Sequence, residues 1–392
     1  MLKSLGQKNK WQLALFFLAV VTAIIYSLTS AGSTPYNYFT RLAAAFLHGR
    51  YYLTENPPWL NELIPIAGNK FAVVYPPAPA IIAIPFVLIF GQNFQQQTIA
   101  QLMGAIAAFV WGLIAYQKSN KRAVSLWVFM LSAFGNIVWF MSSNGSVWYL
   151  GQVSAYLFLS LTIYESLNKK RLPLLIFYFS FAILSRLQVV LGAPLIIFLS
   201  WDRFRDLKKL FSFGMGLTVF GAAYAVYNYL RFGSFIQTGY SLIPGVLNEP
   251  WFSKGLFNIS YIPNHLRVMF ASYPIFSKTF PFAKPSWGGL SIWATSPVFI
   301  YSLFTNLKRK ENYLSWLSIF LIAVVVFSHG STGFAQFGYR FAVDFYPLIL
   351  LLIVNSLEDK NLKWHHWLLL SISIFVNAWG TLWINKFGWV GW

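Results

Sequence analysis

Cysteine is absent from this 392-residue chain, and carboxylates are scarce. The lack of cysteine excludes disulfide bonds, thiolate catalysis and cysteine-ligated metal sites. Only 10 Asp and Glu accompany 29 Lys and Arg, and charged residues make up 10% of the chain. A soluble domain needs about 25% charged residues to cover its surface. The composition therefore excludes an ordinary soluble protein.

Hydrophobic residues make up 57% of the chain, and the aromatic residues among them account for 20% of the chain. Lys and Arg form short clusters between long apolar runs, which is the positive-inside pattern of a polytopic membrane protein. This clustering argues against nucleic acid as a partner despite the net charge of +19. The N-terminus carries Lys3, Lys8 and Lys10, and the apolar run 11–30 follows without a small-residue cleavage site. A first membrane anchor is therefore predicted rather than a cleaved signal peptide.

The apolar runs predict an all-α fold with about 11 transmembrane helices, forming a single membrane domain over residues 1–392. The run 73–90 is left out of this count because it carries four prolines and its helical part is shorter than the about 20 residues of a span. We expect a re-entrant or interfacial helix there. All basic clusters then lie inside, with the N-terminus inside and the C-terminus outside the cytoplasmic membrane. The predicted spans are 11–30, 98–117, 123–141, 148–165, 172–185, 188–200, 210–230, 287–304, 312–328, 342–356 and 365–384.

The segments 172–185 and 188–200 are each too short to cross a membrane alone. They predict two half-length helices that meet at 185–188 and hold Arg186 below the outer surface. An ionisable residue at that depth is a functional candidate. The alternative is an arginine whose long side chain merely reaches the lipid headgroups.

Two connecting segments, 31–97 and 231–286, are unusually long and are predicted to be outer loops. Loops of this length are usually functional or disordered, and their richness in Trp, Tyr, Phe and Pro argues against disorder. In the first loop, residues 38–48 predict an amphipathic helix with Arg41 and His48 on one face, and both are candidate substrate-binding residues. Glu55 and Glu62 are the only carboxylates of that loop. They are candidate catalytic residues, with solvated surface charges as the alternative.

Several short motifs at corresponding places in this topology resemble one enzyme family. They are YNYF at 36–39 with FLHGR at 46–50, YPP at 75–77, YNYLRFGS at 227–234, and FGYRF at 337–341. Together with the topology, they resemble the GT-C superfamily of membrane glycosyltransferases, in particular the bacterial relatives of the protein O-mannosyltransferases. The resemblance covers nearly the whole chain. It implies transfer of a sugar from a polyprenyl-phosphate donor to an acceptor outside the cytoplasmic membrane.

The resemblance also implies an acidic catalytic residue early in the first outer loop, and here the sequence departs from the pattern. No Asp or Glu lies between Trp11 and Thr54, and Ala44 occupies the helix position that faces Arg41 and His48. We therefore expect Glu55 or Glu62 to act as the base. The alternative is a catalytically degenerate scaffold that binds lipid without turnover.

A lipid-linked donor also follows from chemistry, because the chain has no soluble domain with the metal-binding acids that nucleotide-sugar enzymes use. Sugar transfer from a phosphate needs a base for the acceptor and positive charge for the departing phosphate. Arginine suits the second task because its planar group pairs bidentately with phosphate. Arg340 with the adjacent Tyr339 is the first candidate, followed by Arg186 and Arg231. The alternative for Arg340 is an interfacial anchor paired with Asp344 at helical i+4 spacing.

A lipid or solute transporter or flippase is the alternative from another class, since the same arginines could bind a lipid phosphate. The sequence shows no internal repeat and no paired intramembrane charges, which favours an enzyme. A ligase or polymerase with a diphosphate-linked donor is a further alternative. The expected partners are the membrane, a polyprenyl-phosphate sugar, and an unidentified glycan, lipid or protein acceptor. No cofactor is expected, and the histidine spacing indicates no metal site.

Overall fold

The computed structural model describes the backbone of residues 2–391 and the side chains of residues 9–391. Lys3 and Lys8 of the predicted basic N-terminus lie outside the described side chains. The protein is mainly helical, as its long apolar runs predict. The helices are α1 (Leu2–Leu28), α2 (Tyr38–Leu47), α3 (Ala78–Phe90), α4 (Gln96–Ser119), α5 (Arg122–Phe134), α6 (Val138–Asn144), α7 (Val147–Leu167), α8 (Leu172–Ile183), α9 (Ala193–Leu199), α10 (Trp201–Phe204), α11 (Leu207–Phe232), α12 (Ile262–Ala271), α13 (Ile292–Thr295), α14 (Lys310–Phe327), α15 (Tyr346–Leu357) and α16 (Trp364–Leu382).

Six short strands form three two-stranded sheets within the loops. The antiparallel pairs are β1 (Leu63–Ile66) with β2 (Lys70–Val73) and β3 (Ile275–Phe276) with β4 (Ala283–Lys284), and β5 (Gly288–Leu290) pairs in parallel with β6 (Gln336–Gly338). Several 3-10 segments of three or more residues also occur, some of them directly next to an α-helix. The three that matter here are Leu187–Gly192, Pro297–Phe304 and Arg340–Phe345.

Seven helical segments in the described part are long and apolar enough to cross a membrane, or eight if α5 and α6, bent by 49°, form one span. Four further apolar helices are shorter. The prediction of an all-α polytopic protein is therefore confirmed, whereas the count of eleven spans is not confirmed. Residues 287–304 do not form the regular helix that was predicted. They contain β5, α13 and a 3-10 segment, because Gly288, Gly289 and Pro297 disfavour a continuous α-helix.

The basic loops gather at one end of the helical layer, which we call the basic end. Lys118 Nζ lies 2.8 Å from Glu311 Oε1, and Arg309 pairs with Glu358 at 2.9 Å. These pairs join the C-terminal ends of α4 and α15 to the N-terminus of α14. The long loops lie at the opposite end, where α4 begins with Gln96. We call this the loop end.

The predicted pair of half-length helices is present, as α8 and α9 with a 3-10 turn between them. Lys170 and Asp202, which flank the pair, form a salt bridge of 2.8 Å at the basic end. The chain therefore enters the helical layer and returns to the same side. Arg186 lies at the turn. The backbone of Leu184, just before it, accepts a hydrogen bond from Ala78 N at 3.2 Å, so α3 begins at this depth.

The two long loops pack against each other. In the first, α2 is the predicted amphipathic helix, and it buries its apolar face against α3. The β1–β2 hairpin follows. Side chains of that hairpin form a small apolar cluster with side chains of the second loop, namely Ile64, Ala72 and Val74 with Ile243, Val246 and Phe252. Ile243 and Val246 of this cluster also line the cavity described next.

Candidate active site

A cavity of about 590 Å³ lies between the two long loops at the loop end. We call it the large chamber. Its lining includes Glu62, Trp148, Tyr240, Glu249, Trp251 and Arg340. A neighbouring cavity of about 190 Å³, the small chamber, shares Trp148, Tyr240, His329, Arg340 and Phe341 with it. The small chamber adds Arg186, Gln188 and apolar side chains of α14.

Glu62, immediately before β1, is a carboxylate held at the edge of the large chamber. Trp148 Nε1 lies 3.1 Å and 3.3 Å from its two carboxylate oxygens, and the Glu62 backbone N–H donates to Tyr38 Oη at 3.1 Å. Burial raises the pKa of Glu62 to about 7. The Trp148 hydrogen bond and the positive charge of Arg340 oppose this shift, and the negative charge of Glu249 adds to it. Glu62 can therefore exchange a proton near neutral pH.

Arg340 begins a 3-10 segment and lies where the two chambers meet. Its backbone is held on both sides: Gln152 Nε2 donates to its carbonyl at 2.9 Å, and its N–H donates to Gln336 Oε1 at 3.2 Å. The guanidinium lies over the Phe341 ring, 4.9 Å from the centroid. Within the described residues Arg340 has no ion pair, and its Nε is buried without a hydrogen-bond partner. This cation is available to an anionic ligand.

Arg186 faces the small chamber and is held by a buried carboxylate. Its Nη2 lies 2.9 Å from Asp344 Oδ2, its Nε lies 3.1 Å from Oδ1, and Gln188 Nε2 donates to the same Asp344 at 2.5 Å. The Asp344 side chain is fully buried. The alternative that paired Asp344 with Arg340 is therefore wrong. The expectation of no paired intramembrane charges is also wrong, because Asp344 lies in the candidate span Arg340–Leu357 and pairs with Arg186. Residues Arg340–Phe345 form a 3-10 segment rather than an α-helix, and Asp344 turns towards Arg186.

Two other predicted binding residues, Tyr339 and Arg231, lie away from both chambers. Tyr339 is buried, and its hydroxyl is 2.6 Å from His265 Nδ1. Arg231, at the end of α11, donates to the Val73 carbonyl and to Asn228 Oδ1. Both side chains are thus used in packing the loops.

The predicted residues Arg41, His48 and Glu55 come together at a separate cavity of about 70 Å³. Arg41 Nη1 lies 2.7 Å from Glu55 Oε2, and the Glu55 side chain is 62% exposed. His48 Nδ1 is 2.8 Å from the Ala44 carbonyl. Of the two predicted catalytic glutamates, only Glu62 faces the large chamber.

Several residues of the chambers were not predicted from the sequence. Glu249 is one of only 10 Asp and Glu in the chain, and this scarcity of acids could have marked it as a candidate. Trp148 and Tyr240 carried no such signal, because the chain has 17 Trp and 21 Tyr. His329 lines both chambers, and burial lowers its pKa to about 4, so the ring is neutral at neutral pH. Burial also raises the pKa of Tyr240, with the Glu62 charge as the next cause.

A metal-ligand cluster is not found among the described side chains: no group of three or more His, Asp or Glu lies together there. The sequence matches no family model and no curated protein. The structure is similar to the crystal structure of ArnT from Cupriavidus metallidurans bound to undecaprenyl phosphate, with a TM-score of 0.54 and 11% sequence identity. The similar region covers 94% of this chain and 64% of ArnT, so the chain spans less than two thirds of that protein. At this identity the similarity concerns the fold alone: the chain has the fold of that structure over nearly its whole length, and the predicted polytopic helical fold is confirmed.

Proposed function

We propose that the protein is a glycosyltransferase that moves a sugar from a polyprenyl-phosphate donor to an acceptor outside the cytoplasmic membrane. The main support for this proposal is that one cavity contains both a cation that can bind phosphate and a carboxylate that can act as a base. An unpaired arginine, Arg340, and a carboxylate with a pKa of about 7, Glu62, both line the large chamber. The similarity to ArnT, crystallised with undecaprenyl phosphate, supports a polyprenyl lipid as the donor.

The position of the chambers supports an external site. The basic loops share one end of the helical layer, and the chambers lie at the other. Cytoplasmic loops carry the excess of Lys and Arg, so the basic end faces the cytoplasm and the chambers face outward. Nucleotide sugars are cytoplasmic, and a donor used outside must already be carried by the membrane.

In the proposed reaction, Glu62 takes the proton from the acceptor hydroxyl. The acceptor oxygen forms a bond to the anomeric carbon of the donor sugar, and the bond between that carbon and the phosphate oxygen breaks. The polyprenyl phosphate leaves with the electron pair. Arg340 and Arg186 stabilise its negative charge as it develops.

Glu62 is better suited to the role of base than Glu55. Glu55 is largely solvated and paired with Arg41, outside both chambers. Glu55 has no contact with Arg340, the cation that would hold the donor. Glu62 lines the same chamber as that cation.

Native mass spectrometry of the gently extracted protein tests the donor site. We expect a polyprenyl monophosphate adduct in the wild type that is lost in Arg340→Gln. Arg267→Gln is the matched control, because Arg267 is an exposed arginine outside both chambers. A spectrum with ordinary phospholipid alone, unchanged in Arg340→Gln, would contradict the donor site and favour a transporter.

A turnover assay in nanodiscs tests the base. With synthetic polyprenyl-phosphate hexoses as donors, Glu62→Gln should slow the release of polyprenyl phosphate by about 10²- to 10⁴-fold. The bound lipid should be retained in that variant. Full turnover in Glu62→Gln would exclude Glu62 as the base, and lipid binding without turnover in the wild type would indicate a degenerate scaffold.

A further inference from the structure

We infer that the acceptor is an uncharged carbohydrate, which binds in the large chamber against Trp251 and Phe334 and is oriented by Glu249. The inference rests on the proposed function and adds the class of the second substrate. It depends on the different linings of the two chambers, on the charge of the large chamber, and on the arrangement of its aromatic wall.

The linings assign one substrate to each chamber. The small chamber contains Arg186 and Gln188 together with the apolar Val325 and Val326 of α14, a combination that suits a lipid phosphate. Glu62 lines the large chamber and not the small one. Because the base must reach the acceptor hydroxyl, the acceptor occupies the large chamber.

The charge of the large chamber disfavours an anionic acceptor. Among its described lining residues the acids are Glu62 and Glu249, and the only Lys or Arg is Arg340 at the boundary with the small chamber. With Arg340 occupied by the donor phosphate, an acceptor that bears a phosphate or carboxylate would meet two carboxylates. Like charges at close range in a partly buried site cost binding free energy.

Part of the lining of the large chamber offers an aromatic surface beside a hydrogen-bond acceptor. The Trp251 and Phe334 ring centroids are 4.6 Å apart, and the rings are inclined by 57°. Trp251 Nε1 donates to Glu249 Oε2 at 2.7 Å, which holds the indole and the carboxylate side by side. The proposed reaction gives Glu249 no other role. Glu249 forms no ion pair within the described residues, so its second oxygen can accept from a ligand.

This arrangement fits the two faces of a sugar ring. The C–H face of a pyranose is apolar and packs on an aromatic ring, whereas its hydroxyl groups donate to a carboxylate. A chamber of about 590 Å³ also lies in the usual range for small-molecule sites. A peptide hydroxyl would use neither the ring surface nor the second carboxylate.

The test uses the full-length protein in nanodiscs, synthetic polyprenyl-phosphate hexoses as donors, and three acceptor probes. These are an aryl hexoside, the aryl hexuronide of the same configuration, and a neutral serine-containing peptide. We expect the hexoside to accelerate polyprenyl phosphate release about tenfold over water, and the other two probes to have little effect. Trp251→Ala should raise the KM for the hexoside about tenfold while kcat changes less than about twofold, a loss of about 1.4 kcal/mol in binding.

The Glu249→Gln variant tests the role of charge through the ratio of hexuronide use to hexoside use. A purely structural role of Glu249 would leave this ratio unchanged. The variant should raise the use of hexuronide relative to hexoside by at least about fivefold, because it removes one of the two opposing charges. Glu358→Gln and Trp364→Ala, at the basic end, are the matched controls. An unchanged hexuronide-to-hexoside ratio in Glu249→Gln would overturn the inference. So would faster release with the peptide or the hexuronide in the wild type.

The outcomes also separate this inference from the proposed function. Donor turnover with water or peptide, but without stimulation by the hexoside, would overturn the carbohydrate acceptor and leave the glycosyltransferase in place. No turnover with any probe, together with no polyprenyl phosphate bound in native mass spectrometry, would overturn both.

Discussion

Glu55 and Glu62 belong to the same loop, and their surroundings give them different chemistry. Glu55 is 62% exposed and is balanced by Arg41. Glu62 is only partly exposed, and it lines the large chamber. Removal of water disfavours the ionised carboxylate and raises the pKa of Glu62 to about 7. Nothing in the local sequence distinguishes the two glutamates, since the difference comes from residues distant in the chain.

The pKa of Glu62 predicts a pH dependence of transfer. Only the ionised carboxylate accepts a proton, so kcat/KM should rise about tenfold per pH unit below a pKa of about 7 and level off above it. Trp148→Phe removes a hydrogen bond that favours the ionised form, so the midpoint should move to higher pH. The pH profiles of the wild type and Trp148→Phe check this, with Trp364→Phe as the control. A flat profile from about pH 6 to about pH 8 would contradict it.

The pair Arg41–Glu55 is expected to contribute little. Pairs with one largely exposed partner stabilise proteins by about 0–1 kcal/mol. Glu55→Gln should therefore shift the thermal unfolding midpoint only slightly and leave turnover within about twofold of the wild type. The same nanodisc assay that is used for Glu62→Gln measures turnover. A severe loss in Glu55→Gln with full activity in Glu62→Gln would reverse the assignment of the base.

At the scale of elements, the turn between α8 and α9 depends on a partner from another part of the chain. Arg186 in this turn binds the fully buried Asp344 of the segment Arg340–Phe345. The ion pair holds Arg186 towards the small chamber and fixes the segment that carries Arg340. Both candidate phosphate ligands are therefore positioned by the same contact.

Breaking this pair should destabilise the protein more than removing it altogether. Asp344→Leu leaves Arg186 without its counter-charge and is expected to cost about 3–5 kcal/mol. The double variant Arg186→Met/Asp344→Leu should recover part of that loss, because no uncompensated charge remains. Thermal unfolding of the two single variants and the double variant in detergent forms a double-mutant cycle. Additive losses would show that the pair has no coupling.

Element prediction succeeded where a local pattern dominates. The amphipathic pattern at 38–48 corresponds to α2, and the two short apolar segments after residue 172 correspond to α8 and α9. The prediction failed at 287–304, where hydrophobicity indicated a helix. Gly288 and Leu290 instead pair with Gln336 and Gly338 of β6, which are far away in the chain. Apolar composition measures burial, and it does not distinguish a buried helix from buried irregular structure.

At the scale of the whole molecule, the basic end and the loop end define an orientation across the membrane. If the basic end is cytoplasmic, a residue beside the large chamber is accessible from outside the cell. The absence of native cysteine makes single-cysteine variants clean probes. Ser253, in the second long loop, and Asn361, between α15 and α16, are both exposed.

In intact cells, Ser253→Cys should react with a membrane-impermeant maleimide, whereas Asn361→Cys should react only after permeabilisation. The cysteine-free wild type is the control for background labelling. Labelling of Asn361→Cys alone in intact cells would invert the orientation and place the chambers in the cytoplasm. A site in the cytoplasm could use nucleotide sugars, so the main physical argument for a lipid-linked donor would no longer apply.

The sequence alone determined the membrane class, the distribution of charge between the two ends, and the helices with strong local periodicity. These depend on composition and short-range spacing, which are properties of the linear chain. Only the tertiary structure decided which glutamate shares a chamber with Arg340, that Asp344 pairs with Arg186, and that Arg231 and Tyr339 serve packing. Those outcomes depend on contacts between the two long loops and the helix ends. Burial and counter-charge at such contacts come from residues 74 to 158 positions apart, and no local pattern encodes them.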